Sequence, residues 1–187
     1  MLEIRFHGRG GQGTVVASIL LAKAYFSAGY YVQSFPLFGV ERRGAPVEAY
    51  LRLDKKKILI RSNVYAPDHI IVQDANLLEH VDVTKGLKRE GWIILNAVAP
   101  PENLQRFSGY RFAYVDATRI ALEHDLGTRT QPIINTAMLG ALAKVMGAPP
   151  MDMISEAIKT DISSNPLENV KAAQTAYEQV QRYGLVN

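Results

Sequence analysis

The most constraining feature of the chain is a glycine cluster set between two periodic segments. Leu2, Ile4 and Phe6 alternate with Glu3, Arg5 and His7, which is the pattern of a half-buried strand. The run Gly8-Arg9-Gly10-Gly11-Gln12-Gly13 follows at once, and residues 14–28 are then apolar nearly all round, interrupted only by Thr14, Ser18, Lys23 and Ser27. A helix of that kind is expected to be mostly buried, with Gly29 placed to stop it. A second segment rich in strand-forming residues spans 30–35, so the opening reads strand, glycine turn, helix, strand. That order predicts a Rossmann-like βαβ unit with a parallel strand pair.

Further along, Val47, Ala49, Leu51 and Leu53 alternate with Glu48, Tyr50 and Arg52, and the polar turn at 54–57 leads to Ile58-Leu59-Ile60. This predicts an antiparallel hairpin, with the Lys55-Lys56-Lys57 run at its solvated tip, and hence a mixed sheet. Ile70-Ile71-Val72, Trp92-Ile93-Ile94-Leu95 and the strand at 112–115 read as buried central strands. Helical stretches are expected near 75–89, 118–126, 133–146 and 151–159. A last helix is capped by Asn165, opened by Pro166 and ended by Gly184. Within the 133–146 helix, Ala137, Gly140, Ala141 and Lys144 form a narrow stripe that lets another element come close. The expected fold is a single α/β domain over 1–187: a three-layer α/β/α sandwich on a mixed, mostly parallel sheet.

Composition narrows the chemistry. The 187 residues contain no cysteine, so this chain supplies no disulfide, thiolate nucleophile or cysteine-held iron–sulfur cluster. No stretch approaches the roughly 18 apolar residues of a membrane span, and the first residues enter a strand directly, so a cytoplasmic location is expected. The net charge of +3 is scattered and lacks a basic stripe with interleaved aromatics, so neither a nucleic acid nor a membrane is an expected partner.

Gly8, Gly10 and Gly13 satisfy G-x-G-x-x-G in the context that gives the motif meaning, after a strand and at the start of a helix. Backbone N–H groups and the helix dipole there suit a phosphate or carboxylate. The alternative is a tight turn whose glycines serve packing alone. The second strand ends Gln33-Ser34-Phe35-Pro36 without the acid that holds a dinucleotide ribose, and Gly13-Thr14 lacks the lysine of a triphosphate loop. The candidate binding residues are Gly8, Gly10, Gly11, Gln12, Gly13 and Thr14, joined by Glu41, Arg42, Arg43 and Gly44 of the loop that leaves the second strand. Arg42 and Arg43 form a guanidinium pair suited to an anion, if that loop lies beside the turn. An exposed loop or a subunit contact is the other reading. The four histidines show no metal-ligand spacing, and Asp74 and Asp116 are read as helix caps. No catalytic residue and no metal ligand is assigned.

Four segments in order carry a wider resemblance: the glycine turn, Phe38-Gly39-Val40-Glu41-Arg42-Arg43-Gly44-Ala45-Pro46, Pro67-Asp68, and Asn135-Thr136-Ala137-Met138-Leu139-Gly140. Together they resemble the gamma subunits of 2-oxoacid:ferredoxin oxidoreductases, most closely those of the four-subunit pyruvate enzymes, the pyruvate synthases. The resemblance implies a part in converting pyruvate, coenzyme A and oxidised ferredoxin to acetyl-CoA, carbon dioxide and reduced ferredoxin. It implies alpha, beta and delta subunits as partners, ferredoxin as acceptor, and thiamine diphosphate, Mg2+, 4Fe-4S clusters and coenzyme A held in or with those partners. The chain by itself is then expected to hold no cofactor and to be inactive alone. A related branched-chain or 2-oxoglutarate enzyme, or a stand-alone nucleotide-binding protein, is the alternative.

Overall fold

A computed structural model describes residues 1–37 and 44–187. Its central sheet has seven strands in the order β2-β3-β1-β4-β5-β6-β9. These are β1 (Leu2–Arg9), β2 (Tyr31–Leu37), β3 (Pro46–Asp54), β4 (His69–Val72), β5 (Trp92–Asn96), β6 (Arg111–Val115) and β9 (Gln181–Leu185); β7 (Gly127–Thr128) and β8 (Gln131–Pro132) form a separate pair. Strands β1, β4, β5 and β6 pair in parallel, whereas β3 is antiparallel to both β1 and β2. Since two reversals restore direction, β2 runs with β1, and β3 and β9 alone run the other way. The sheet is mixed with most strands parallel, as expected.

Two pairings differ from the sequence reading, for one reason. The helix after the glycine turn, α1 (Thr14–Ser27), does lead to a strand running with β1, but β3 is inserted between the two. With both edges of β3 taken, by β1 and β2, residues 58–60 cannot fold back onto β3 as a hairpin and form no strand. The expected hairpin is replaced by a three-strand antiparallel flank.

One face of the sheet carries α1, α3 (Ala117–Glu123), α4 (Asn135–Met146), α5 (Met151–Asp161) and α6 (Pro166–Gln179). Ile4, Phe6, Leu51, Ile71, Ile94 and Ala113 point into this larger core, against Leu20, Leu21 and Leu139 of the helices. The period of two sends the alternate residues to the opposite face. There β4, β5 and β6 contribute Ile70, Val72, Ile93, Leu95 and Phe112 to a second core. Its cover is thin: one turn of helix, α2 (Leu77–His80), a tight turn over Leu104–Phe107, and irregular chain.

The long helix expected over 75–89 is that single turn. Arg5 explains why: its Nη2 donates to the carbonyls of Val83 at 2.8 Å and Lys85 at 2.7 Å, turning them toward the sheet. Asp82 completes the interruption by accepting from the Thr84 N–H at 3.1 Å. The stripe on α4 behaves as expected. A Cβ at Gly140 would collide with the backbone carbonyl of Ala173, so α6 crosses α4 at backbone contact.

The final helix begins at Pro166 after Asn165, but the Asn165 side chain makes no cap; Asn165 sits left-handed at φ 50° and its carbonyl accepts from Asn169. Nor does Gly184 end this helix. It lies within β9, an edge strand whose polar sequence carries no period of two. Burial of α1 is also incomplete: Val16, Ile19 and Phe26 remain exposed along one side.

Candidate functional site

The chain that leaves β1 turns toward β2, on one side of the sheet, while the chain that leaves β4 turns toward β5, on the other. The crevice between the carboxyl ends of β1 and β4 is therefore a switch point, where open α/β sheets bind ligands. The glycine turn forms one wall of it, and the segment after β4 forms the facing wall.

Each glycine has its own role. Gly11 and Gly13 adopt φ of 100° and 73°, the left-handed region that side chains resist. Gly8 is in the strand, but a Cβ there would run into the Thr14 hydroxyl and come within 2.6 Å of Gln73 Oε1. Gly10 ties two segments together: its N–H donates to Ala45 O at 2.9 Å and its carbonyl accepts from Gly44 N–H at 3.2 Å. Gly44, two residues before β3, thus sits against the glycine turn. Glu41, Arg42 and Arg43 lie outside the described residues.

The side chains of the turn bind mostly to the protein itself. Gln12 Oε1 accepts from the Arg9 N–H at 2.8 Å, and Arg9 Nε donates to Asp74 Oδ2 at 2.8 Å. Arg9 Nη1 reaches the Gly44 carbonyl at 3.1 Å, so this one guanidinium joins β1, Gly44 and the segment after β4. The Thr14 hydroxyl is buried and donates to Gln73 Oε1 at 2.6 Å. Two groups are left for a ligand. The first turn of α1 has no side-chain cap and no acidic residue, so its N–H groups keep their partial positive charge. Gln73, fully buried, has its Nε2 without a partner. A buried amide donor with no acceptor is costly, and a bound oxygen would satisfy it.

A cleft of about 780 Å³ opens beside this wall, over the carboxyl ends of β4, β5 and β6. Gln12, Gln73, Asp74, Asn96, Asp116 and Arg119 are among its lining residues; of the turn, Gln12 is the one that reaches it. Asn96 braces the floor, donating to Gln73 O at 2.9 Å and Thr118 Oγ1 at 3.0 Å. Asp116 caps α3 by accepting from Arg119 N–H at 2.9 Å, as read from the sequence. Asp74 does not cap a helix. It holds the Asn76 N–H at 2.9 Å with one oxygen and the glycine turn with the other. Glu123 pairs with Arg119 at 2.5 Å. The carboxylates of the cleft are thus all occupied by cations or backbone donors, and no acid–base pair stands ready among the described residues.

Gln73, Asn96 and Thr118 did not stand out in the sequence. A readable signal existed only for Gln73, which directly follows the apolar run Ile70-Ile71-Val72 and precedes Asp74.

His7, His69 and His124 hold structural positions, while His80 is exposed. His7 is buried on the face opposite the helices, accepts from Arg5 Nε at 2.9 Å, and approaches Glu48 at 3.5 Å. Burial first, and the neighbouring Arg5 charge second, push its pKa down to about 3. His124 bridges to Glu168 and Thr175 on α6. Among the described residues no three histidines or acids converge as a metal set, and no helix is long and apolar enough to cross a membrane.

The sequence and the fold have close counterparts among known proteins. The chain is 50% identical over 186 residues to pyruvate synthase subunit PorC of Methanocaldococcus jannaschii, covering 98% of this chain and all of that one. It is likewise 50% identical to the Pyrococcus furiosus protein named pyruvate/ketoisovalerate oxidoreductases common subunit gamma, over 99% of this chain and all of the other. The crystal structure of pyruvate oxidoreductase subunit PORC from Thermotoga maritima superposes with a TM-score of 0.82 at 36% identity, over 97% of this chain and 98% of that one. The family model for pyruvate ferredoxin/flavodoxin oxidoreductase matches residues 3–179, from the first strand to the end of the last helix. With its switch-point cleft and nearly full-length relatives, the chain belongs to the pyruvate ferredoxin/flavodoxin oxidoreductase family.

Proposed function

We propose that this chain is the gamma subunit of a multi-subunit pyruvate:ferredoxin oxidoreductase of the cytoplasm, working with alpha, beta and delta subunits and passing electrons to ferredoxin. The observation that carries the reading is end-to-end identity of one half to a subunit named for pyruvate synthase. The chemistry of the chain supports the division of labour. Without cysteine it offers no thiolates for 4Fe-4S clusters, and its cleft carboxylates are spent on Arg9, Arg119 and backbone donors rather than on Mg2+. Thiamine diphosphate and the clusters, when bound in such a complex, supply the bond-breaking carbon chemistry and the electron route. The thiolates that hold the clusters belong to the other chains.

What this chain offers is a wall for an anion. The uncapped start of α1, Gly8 to Thr14, and the orphan Gln73 amide fit one phosphate or carboxylate group, and Gly44 lies against the same turn. The ligand we assign is the phosphate part of coenzyme A, with Arg42 and Arg43 as its guanidinium partners. Replacing both arginines by alanine in the assembled enzyme is expected to raise the apparent KM for coenzyme A about tenfold or more while leaving that for pyruvate unchanged. An unchanged coenzyme A KM with intact assembly would overturn the assignment.

The name of the Pyrococcus furiosus relative says that one gamma subunit is common to pyruvate and ketoisovalerate enzymes. On that pattern the choice of 2-oxoacid lies in other subunits. Mixing this chain with a ketoisovalerate-specific partner set tests it, and activity on both acids is the expected result.

A further inference from the structure

The face of the sheet opposite the helices is apolar under β4 to β6 but polar under β1 to β3. Glu3, Arg5 and His7 of β1 stand beside Arg52, Tyr50 and Glu48 of β3, in register. Arg52 is the most enclosed of these, 1% exposed. Its Nε donates to Glu3 Oε1 at 2.7 Å and one terminal nitrogen to Asn63 O at 3.0 Å; the other, Nη1, is buried with no partner. Beside it lies a cleft of about 490 Å³ whose wall includes Val32, Gln33, Ser34 and Phe35 in succession. Successive strand residues point to opposite faces, so a cleft that touches all four runs along the free outer edge of β2. The far wall is the segment after β3, through Ile60, Arg61 and Asn63.

That segment has a distinctive surface. Residues 55–66 carry Lys55, Lys56, Lys57 and Arg61 and no acid. Arg61 forms no ion pair or hydrogen bond among the described residues. Leu59 and Tyr65 are 77% and 74% exposed, and Ile60 is exposed too. Lys55 rests on the Tyr30 ring, but none of the four cations has a carboxylate partner among the described residues. An open strand edge, bare apolar side chains and cations without acids are three features a soluble surface ordinarily avoids together.

We propose that the edge of β2 and the 55–66 segment form the docking strip for an acidic, extended segment of another subunit of the complex, which pairs with β2 and sets carboxylates against Arg52, Arg61 and the lysines. Charge complementarity selects an acidic partner. The open edge selects an extended segment, since it presents a row of unpaired backbone groups. A permanent subunit, rather than a passing partner, relieves both the exposed apolar residues and the orphan guanidinium nitrogen at all times. The inference rests on the chain being a subunit of an assembly.

Zero-length carbodiimide cross-linking of the natively purified complex tests it, because that reagent joins lysine amines only to carboxylates in contact. Cross-links from Lys55, Lys56 or Lys57 to an acid-rich stretch of another subunit are expected. Second, a chain carrying K56E, K57E and R61E is expected to melt at the wild-type temperature when isolated, yet to bind the remaining subunits at least about tenfold more weakly at physiological salt. The proposal is overturned if amine-reactive labelling of the three lysines is the same in the isolated chain and the complex. It is equally overturned if the charge-reversed chain assembles with unchanged affinity, or if its defect appears only in binding to phosphatidylserine vesicles. Failure of the wild-type chain to purify with any other subunit would instead count against the parent reading.

Discussion

Gly13 opens α1 in the left-handed region, and a Cβ there would lie 2.6 Å from Asn135 Nδ2. Both strain and contact therefore oppose any larger residue. Gly13→Ala is expected to cost about 2 kcal/mol, seen as a fall of roughly 4–8 °C in the melting temperature. Gly11→Ala, at φ 100° with open space around it, carries the backbone strain alone and is expected to cost less. Equal losses at the two positions would show that Asn135 yields without penalty. His7 gives a pH-dependent prediction. Its folded pKa, about 3, lies below the ordinary value of 6.5, so between those limits the unfolded chain binds the extra proton. Stability from this group is then complete above the upper limit and is lost as pH falls toward the lower one. His69, whose pKa is also lowered by burial, adds in the same direction. Urea midpoints measured down this range should fall less steeply for His7→Gln than for wild type. Parallel slopes would mean that His7 is not held neutral.

At the scale of elements, α4 and α6 meet at backbone contact. Gly140 faces the Ala173 carbonyl, which is rigid backbone, so a methyl group can be housed only by moving a helix. Gly140→Ala is expected to destabilise the chain by about 1–3 kcal/mol, although alanine is the better helix former. A rise in melting temperature would show that α6 shifts freely. This contact was legible beforehand because small residues at helical spacing announce it. The one-turn α2 was not: residues 75–89 have helical composition, and what interrupts them is Arg5, some 80 positions away in the hydrogen bond to Lys85. The strand β9 was equally hidden, since it is an edge strand of polar residues with little to bury.

For the whole molecule, the decisive arrangement is the switch point between β1 and β4, with Arg9 linking its two walls through Asp74. Asp74→Ala frees Arg9 and removes the acceptor of the Asn76 N–H. In the assembled enzyme this is expected to weaken coenzyme A use by several-fold or more, while the isolated chain keeps its circular dichroism. Unchanged kinetics would separate the cleft from the shared site. Half of the candidate site could be read from residues alone. The glycine turn, Gln12 and the return of Gly44 to the same edge were visible, whereas Gln73, Asn96 and Thr118 became site residues only when three parallel strands aligned their ends.

By itself the sequence determined the kind of layers, the strand–glycine turn–helix opening, the exclusion of cysteine chemistry and the family resemblance. All of these depend on residue type and short-range period, which local sterics and hydrophobic burial translate directly into structure. Tertiary structure alone decided that β3 enters between β1 and β2, that residues 58–60 cannot pair back with β3, and that Arg5 undoes a helix. It also decided that the glycine turn meets Gln73 and Asp74. These outcomes depend on which edges and donors remain free after distant segments have paired, and no local pattern carries that information.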